Sequence, residues 1–440
     1  MNNGSSYLNN ATEGYTGRYI VTFQENAVNE GMKLLNKSAD VQTLPTTSDF
    51  ANGNWNMEEV QSAKGLIYEN LGIAVIEAEE QQIMQVQSAA NPGQRSPILA
   101  IEPEMVMYST QELNQPDINN MNMPLSYIKG CRDEIDSLYN RLVSGQLTAL
   151  TGLEVQEMYN DTPQATWGLQ ATKAVNSRYS GRGIRVAVLD TGLDLTHSDF
   201  KGRQIVSKSF VPNEAVQDGN GHGTHCIGTA CGNKSNTGLR YGIAYESEIY
   251  AGKVLSNSGS GPDTNILAGM DWAIANQCHI ISMSLGGRAC TTTIAYDRAG
   301  LKALRKGCLI VAAAGNSANR AESHFSCVER PANSRTIMAV AALDNQLEIA
   351  NFSARSGSVD GGEVDIAAPG VATFSSWKMD GRYGRSNGTS MATPHVSGIA
   401  ALFAEAYNAR GYELWQMLIT HARKLPIPTV DIGAGIVQAP

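Results

Sequence analysis

The sequence predicts an α/β protein: a doubly wound, mainly parallel sheet preceded by a small α+β domain. Three observations predict it. From residue 165 onward, short and almost wholly apolar runs alternate with segments of helical length. Strands buried on both faces and separated by helices imply a parallel sheet with helices on either side. Before residue 109 the patterns run β-α-β-β-α-β, the order of a ferredoxin-like module. A polar stretch, 109–164, lies between the two and reads as a linker with helical segments near 131–143 and 153–160.

Residues 1–17 are polar and read as a flexible N-terminus. The small domain covers 18–108. Within it, 19–23 reads as a strand, and a helical pattern follows through Val28, Met32, Leu34 and Leu35. A Thr/Ser/Asn/Gly-rich stretch spans 43–56. Residues 65–69 and 73–77 are short strands around an Asn-Leu-Gly turn, 79–90 is helical, and 98–102 is the last strand. The larger domain covers 165–440. Its strands are expected at 184–189, 249–255, 280–285, 309–314 and 337–342, and its helices at 222–231, 263–276 and 294–306. A run of small and apolar residues through Ala400, Ala401, Leu402 and Phe403 reads as a buried helix starting at or just after Ser390.

At 440 residues the chain exceeds one ordinary domain, so about two or three are expected. Hydrophobic residues at 42% against 17% charged fit a globular protein with a large core. A net charge of −9 argues against nucleic acid as a partner. No apolar run reaches the length of a membrane span. The first residues lack the basic and apolar regions of a leader. The expectation is a secreted protein whose leader is absent from this chain; the alternative is a cytoplasmic one. Of seven cysteines, Cys226, Cys231, Cys278 and Cys308 lie in apolar contexts and read as buried free thiols. Cys290 and Cys327 lie in loop-like segments, where a bridge between them is open but not fixed by spacing.

Four residues fall where such a fold binds ligands, at the carboxyl ends of strands and at helix starts. Asp190 ends a strand in Val188-Leu189-Asp190-Thr191-Gly192, and Asn316 ends another in Ala314-Gly315-Asn316. His222 opens a small-residue helix in Gly221-His222-Gly223-Thr224-His225, and Ser390 opens the last large one. Each alone reads as a turn residue or cap. A hydroxyl at a helix start, however, sits where unpaired N–H groups and a positive dipole would stabilise an oxyanion.

The motifs Asp190-Thr191-Gly192, His222-Gly223-Thr224-His225 and Gly388-Thr389-Ser390-Met391-Ala392-Thr393-Pro394-His395 resemble the three signatures of the subtilase serine peptidases. Ser284-Leu285-Gly286-Gly287, Ala314-Gly315-Asn316 and the closing Gly433-Ala434-Gly435 are similar to that family too, and the likeness covers 165–437. It implies an endopeptidase working through an acyl-enzyme. Ser390 is then the nucleophile, His222 its base, Asp190 the orienting acid, and Asn316 with the Ser390 N–H the oxyanion hole. His225 is expected to pack beneath His222, and His395 to lie inside a helix. A zinc reading of His222, His225 and Cys226 lacks the glutamate of a His-Glu-x-x-His site and a further ligand.

The resemblance also implies substrate-flanking segments at Ser284-Leu285-Gly286 and Gly259-Ser260-Gly261, between which a peptide would add as a strand. The primary pocket would be walled by Leu285-Gly286-Gly287 and Ala313-Ala314-Gly315, with its base near Val328-Glu329-Arg330. Glu329 pointing inward would favour basic substrates. Glu329 paired with Arg330 or facing solvent would leave an apolar preference. Asp199 and Asn236 match a calcium site of the family, with calcium structural and no cofactor needed for the chemistry. The partners implied are a protein or peptide substrate and the chain's own residues 18–108, an inhibitory propeptide cut near Tyr108. An acidic pocket would also allow a cut in the linker after Lys129 or Arg132.

Overall fold

The computed structural model describes residues 14–39, 41, 44–49, 64–89, 96–109, 158–357, 361–379 and 382–440. Contacts group 1–111 with 159–440 and set 112–158 apart; of the latter only Met158 is described, exposed and without regular structure. The helix expected over 153–160 is absent at 158–160, and the rest of the linker, with Cys131, Lys129 and Arg132, lies outside the described residues.

The N-terminal patterns resolve into β1 (Tyr15–Phe23), α1 (Val28–Ala39), β2 (Gly65–Tyr68), β3 (Ile73–Glu77), α2 (Glu80–Ala89) and β4 (Ile98–Ser109). The strands form an antiparallel sheet in the order β4-β1-β3-β2. Side chains alternate across it, as period 2 requires. Val21, Ile67, Ala74 and Ile76 turn toward α1 and α2, where they bury Leu35, Ile83 and Val86. Ile20, Leu66, Tyr68, Ile73 and Val75 turn the other way and share one core with the larger domain.

That domain runs β5 (Arg185–Asp190), β6 (Ile205–Ser209), α3 (His222–Cys231), β7 (Glu248–Lys253), β8 (Ser260–Pro262), α4 (Asp263–Ala275), β9 (Ile280–Met283), β10 (Leu285–Gly286), α5 (Ile294–Arg305) and β11 (Leu309–Ala313). It ends with β12 (Met338–Leu343), β13 (Ile366–Pro369), β14 (Thr373–Ser376), β15 (Tyr383–Ser386), α6 (Thr389–Tyr407) and α7 (Gly411–His421). Seven strands pair in parallel in the order β13-β12-β11-β9-β5-β7-β6. Val186, Val188, Ile280 and Val311 face α3 and α6. Ala187, Leu189, Ile281 and Ile310 face α4, α5 and the small domain. The chain leaves β5 toward β7 on one side and returns through β9 on the other. The crevice that ligands use in such sheets therefore opens at the carboxyl ends of β5 and β9.

Two carboxylates of β4, Glu104 buried and Glu102 half-buried, join the domains. α4 has Pro262 at its N-cap position, which offers no side-chain acceptor. Glu104 supplies it: the carboxylate accepts from Thr264 N at 2.7 Å, from Thr264 Oγ1, and from Thr16 Oγ1 at 2.5 Å. Glu102 does the same for α5, accepting from Ile294 N and Ala295 N at 3.0 Å each. A carboxylate at a helix start satisfies orphan N–H groups and meets the positive end of the dipole. In return Asp263 accepts from Met105 N at 2.8 Å, and burial pushes its pKa up to about 6.

Several elements differ from the sequence reading. β1 starts at Tyr15, inside the stretch expected to be flexible. β4 continues through 103–109 because its second half pairs with the larger domain. The strand expected over 280–285 breaks at Ser284, and α6 starts at Thr389, one residue before the serine. β6, β13, the β14–β15 hairpin and α7 were not expected. β6 (IVSKS) and β13 are short edge strands, too brief for a long apolar run.

Glu104→Ala should destabilise the intact chain by about 1–3 kcal/mol, since it leaves the Thr264 N–H buried without an acceptor. The shift in urea midpoint, measured in a Ser390→Ala background to keep the chain whole, checks this. An unchanged midpoint would mean that water replaces the cap.

Candidate active site

Asp190 ends β5 fully buried, and its Oδ1 accepts from Thr191 N and from His222 Nδ1, each at 2.7 Å. The contact needs the start of α3 to press onto the turn after β5. Gly192 and Gly223 allow it: a Cβ on Gly223 would lie 2.3 Å from the Gly192 carbonyl oxygen. Asp218 then ties the two together. Its Oδ1 accepts from Thr191 Oγ1 at 2.9 Å and Gly221 N at 2.9 Å, and its Oδ2 from Thr224 N at 2.9 Å and Thr224 Oγ1 at 2.7 Å. Lys253 Nζ, buried, donates to the Thr191 carbonyl at 2.6 Å.

With Nδ1 donating to Asp190, the neutral ring of His222 presents Nε2 as an acceptor, and that atom is buried without a hydrogen-bond partner. Burial opposes the imidazolium, but the adjacent Asp190 carboxylate prevails and holds the ring well above the ordinary histidine pKa. The other histidines behave differently. His225 Nε2 meets the Thr373 carbonyl at 3.0 Å, and burial lowers its pKa to about 3. His395 Nδ1 meets the Met391 carbonyl at 2.8 Å, and its pKa falls to about 4, again through burial. Both pack as neutral rings. Because His225 points away, the His-x-x-His pair does not converge on one point.

Ser390 lies in the first turn of α6, fully buried. Its Oγ donates to the Ser284 carbonyl at 3.1 Å, and its own carbonyl accepts from Ser284 Oγ at 2.8 Å. Cys226, one turn along α3 from His222, bridges the two centres: its Sγ lies 3.8 Å from His222 Nδ1 and 3.6 Å from the Ser390 carbonyl oxygen. The histidine and serine thus share a neighbour although 168 positions separate them (390 minus 222). Asn316 follows β11. Its Oδ1 accepts from Thr389 N and Thr389 Oγ1, both at 2.9 Å, which fixes the amide flip and leaves its donors on Nδ2.

The expected substrate segments hold a strand already. Tyr108 and Ser109 of β4 pair antiparallel with Gly286 and Leu285, while Val106, Met107 and Tyr108 pair with Pro262, Gly261 and Ser260. Ser109 N also donates to the Gly259 carbonyl at 2.8 Å. Beside this cleft, Ala313 and Ala314 end β11, and Glu329 N donates to the Ala314 carbonyl at 2.9 Å. Glu329 leans over Gly315, where a Cβ would lie 2.7 Å from its carboxyl carbon. Arg330 turns instead toward Asp263, at 3.6 Å. A Cys290–Cys327 disulfide links the loops behind both walls, and Cys226, Cys231, Cys278 and Cys308 are buried free thiols.

The calcium residues come together, but not as a cage. The Asp199 carboxylate accepts from Tyr241 Oη at 2.8 Å and from Tyr383 Oη at 3.0 Å. Asn236 approaches through its backbone, whose N–H donates to Tyr383 Oη at 2.9 Å. Burial, and then the Asp199 charge, keep the Tyr241 phenol protonated. Calcium needs a shell of six to eight oxygen acceptors. Here tyrosine donors take up the one carboxylate, so these residues do not fit the ion.

Asp218, Thr389 and Lys253 escaped sequence reading. Asp218-Gly219-Asn220-Gly221 reads as a turn, and a polar residue two to four positions before a helix was the available signal.

Residues 181–436 match the model of the subtilase family of peptidases. Among similar proteins, subtilisin DY of Bacillus licheniformis is 40% identical over 240 residues, covering 54% of this chain and 83% of its own length. M-protease of Shouchella clausii is 42% identical over 250 residues, 57% of this chain and 61% of that protein. Subtilisin E of Bacillus subtilis is 39% identical over 248 residues, 56% of this chain and 62% of that protein. The chain thus spans about three fifths of the latter two, and the family match contains Asp190, His222, Asn316 and Ser390. This chain belongs to the subtilase family and is a subtilisin-like serine endopeptidase.

Proposed function

We propose that the chain is a zymogen whose catalytic machinery is Ser390, His222, Asp190 and Asn316, restrained by its own residues 18–108. The observation that carries this reading is the buried 2.7 Å contact of His222 with Asp190, with Nε2 left as an acceptor beside the first turn of α6. Ser390 Oγ bonds Ser284 in the intact chain. A χ1 rotation between staggered positions would carry it to His222 Nε2 once a substrate carbonyl arrives.

Ser390 Oγ then attacks that carbonyl as His222 Nε2 takes its proton. Asp190 holds the tautomer and stabilises the imidazolium without becoming protonated. The tetrahedral oxyanion receives hydrogen bonds from Asn316 Nδ2 and the Ser390 N–H, where the dipole of α6 adds to them. The imidazolium gives its proton to the leaving amine, and water, deprotonated by the same ring, releases the acyl group.

β4 supports the inhibitor role because it lies between 259–262 and 285–286 as a substrate strand would. Pairing persists to Ser109, so the processing cut would fall just beyond it rather than at Tyr108. Oxidation of Cys290 and Cys327 suits a compartment outside the cytoplasm. Among the described residues no helix is long and apolar enough to cross a membrane.

Incubating the chain beside its Ser390→Ala variant, with N-terminal sequencing before and after, tests the whole reading. A new N-terminus beyond Ser109 is expected in the parent only; the same cut in the variant would remove Ser390 from the mechanism. Asn316→Ala should lower kcat about 10²–10³-fold, the loss established for the corresponding amide of a subtilisin, with KM little changed. The pH profile gives a further check. A base held above the ordinary value stays protonated, and so idle, to a higher pH. The acid limb of kcat/KM should therefore lie above about 6.5. Asp190→Asn should move it down and reduce kcat about 10⁴-fold.

A further inference from the structure

Glu329 is the one feature of the site that peptide hydrolysis itself does not require. Only 4% of it is exposed. Its backbone is fixed by the bond from Glu329 N to the Ala314 carbonyl, and its carboxyl group lies over Gly315, the residue before Asn316. The oxyanion donor and this carboxylate therefore sit on either side of one peptide unit. Ser317 Oγ donates to Oε1 at 2.5 Å, the sole hydrogen bond to the carboxylate among the described residues. Among the described residues no cation forms an ion pair with it. Arg330 beside it is committed to Asp263, and Arg288 is exposed and acts only at longer range. Burial raises the carboxyl pKa, with Ser317 and Arg288 offsetting part of the rise.

A buried carboxylate with one hydroxyl donor and no counter-charge costs stability. Burying a neutral side chain there would not. Its surroundings make sense if a cation reaches it from outside the chain. The walls at hand are Leu285-Gly286-Gly287 on one side and Ala313-Ala314-Gly315 on the other, with Gly287 N bonded to the Arg330 carbonyl at 2.9 Å across the base. The disulfide between Cys290 and Cys327 holds wall and base together.

We propose that Glu329 is the specificity-determining residue of this peptidase, selecting substrates with lysine or arginine immediately before the scissile bond. The proposal rests on the catalytic reading above, and it concerns external substrates: the cut beyond Ser109, where no basic residue stands, is made on a strand that pairing within the chain already holds in the cleft. A guanidinium or ammonium group entering between the two walls would restore the missing counter-charge and a charge-assisted hydrogen bond. An apolar side chain would leave the carboxylate buried and unpaired, which selects against it. Gly315 leaves room for the Glu329 carboxyl group, and Met107 of β4 packs against Gly287 in the intact chain.

The test uses the full chain after self-processing, with active centres counted by a fluorophosphonate label on Ser390. Fluorogenic tetrapeptides identical except for Arg, Lys, Leu or Phe before the scissile bond are compared by kcat/KM. Arg and Lys should exceed Leu by at least about tenfold, the scale of one charge-assisted hydrogen bond. Glu329→Gln should bring that ratio down by a similar factor, and benzamidine should inhibit the parent competitively but not the variant. Label with Leu or Phe preferred, or an Arg/Leu ratio unchanged in Glu329→Gln, overturns the proposal and leaves the peptidase reading intact. Should the variant fail to fold, the parent's own ratio and its response to benzamidine still decide. No label and no hydrolysis of any peptide would instead defeat the catalytic reading on which this one stands.

Discussion

Asp190 and His222 can meet at 2.7 Å only because a helix start is pressed onto a strand end. Two facing glycines, 192 and 223, remove the side chains that would hold them apart. Asp218 then spends both carboxylate oxygens on the two segments, and Lys253 pins the Thr191 carbonyl from below. On the other side of the crevice Thr389 performs the same service, binding Asn316 with both its backbone and its hydroxyl. Asn316 and Ser390 are thereby brought together at one helix start. These fixed dipoles are oriented before any substrate arrives, the condition under which they act most strongly.

The small domain completes three elements that are unfinished alone. α4 follows a proline that offers no cap, and β8 and β10 are strands of three and two residues, too short to stand as a sheet. β4 supplies acceptors to the helices through Glu102 and Glu104 and a partner to both strands. The face of its sheet carrying Ile20, Leu66, Tyr68 and Ile73 is covered by the same helices. On the zymogen proposal, inhibition and structural support would be two results of one docking.

Much of this was legible in the sequence because central parallel strands are apolar on both faces. Residues 185–190, 280–283 and 309–313 were visible for that reason, and so were the site residues at their ends. The helix at 222–231 was found at its full length. Edge elements were not legible: Ile205–Ser209 keeps polar residues and Ile366–Pro369 is four residues long. Nor was the direction of a single side chain. Whether Glu329 met Arg330 depended on Asp263 drawing Arg330 away, a contact across 67 positions (330 minus 263) that no local pattern encodes. The surroundings of Asp199 were hidden for a similar reason: the calcium expectation saw only local residues. It rested on Asp199 and a loop, whereas Tyr241 and Tyr383, which occupy that carboxylate, come from elsewhere in the chain.

The bridge between Cys290 and Cys327 closes a 37-residue loop that contains α5 and β11, the latter held inside the sheet by β9 and β12. Reductants would accordingly be felt first between the segments that follow β10 and precede Glu329, which the bridge alone ties covalently. On the proposed role of Glu329, selectivity is then the property most exposed to the redox surroundings, and turnover of unselective peptides the least.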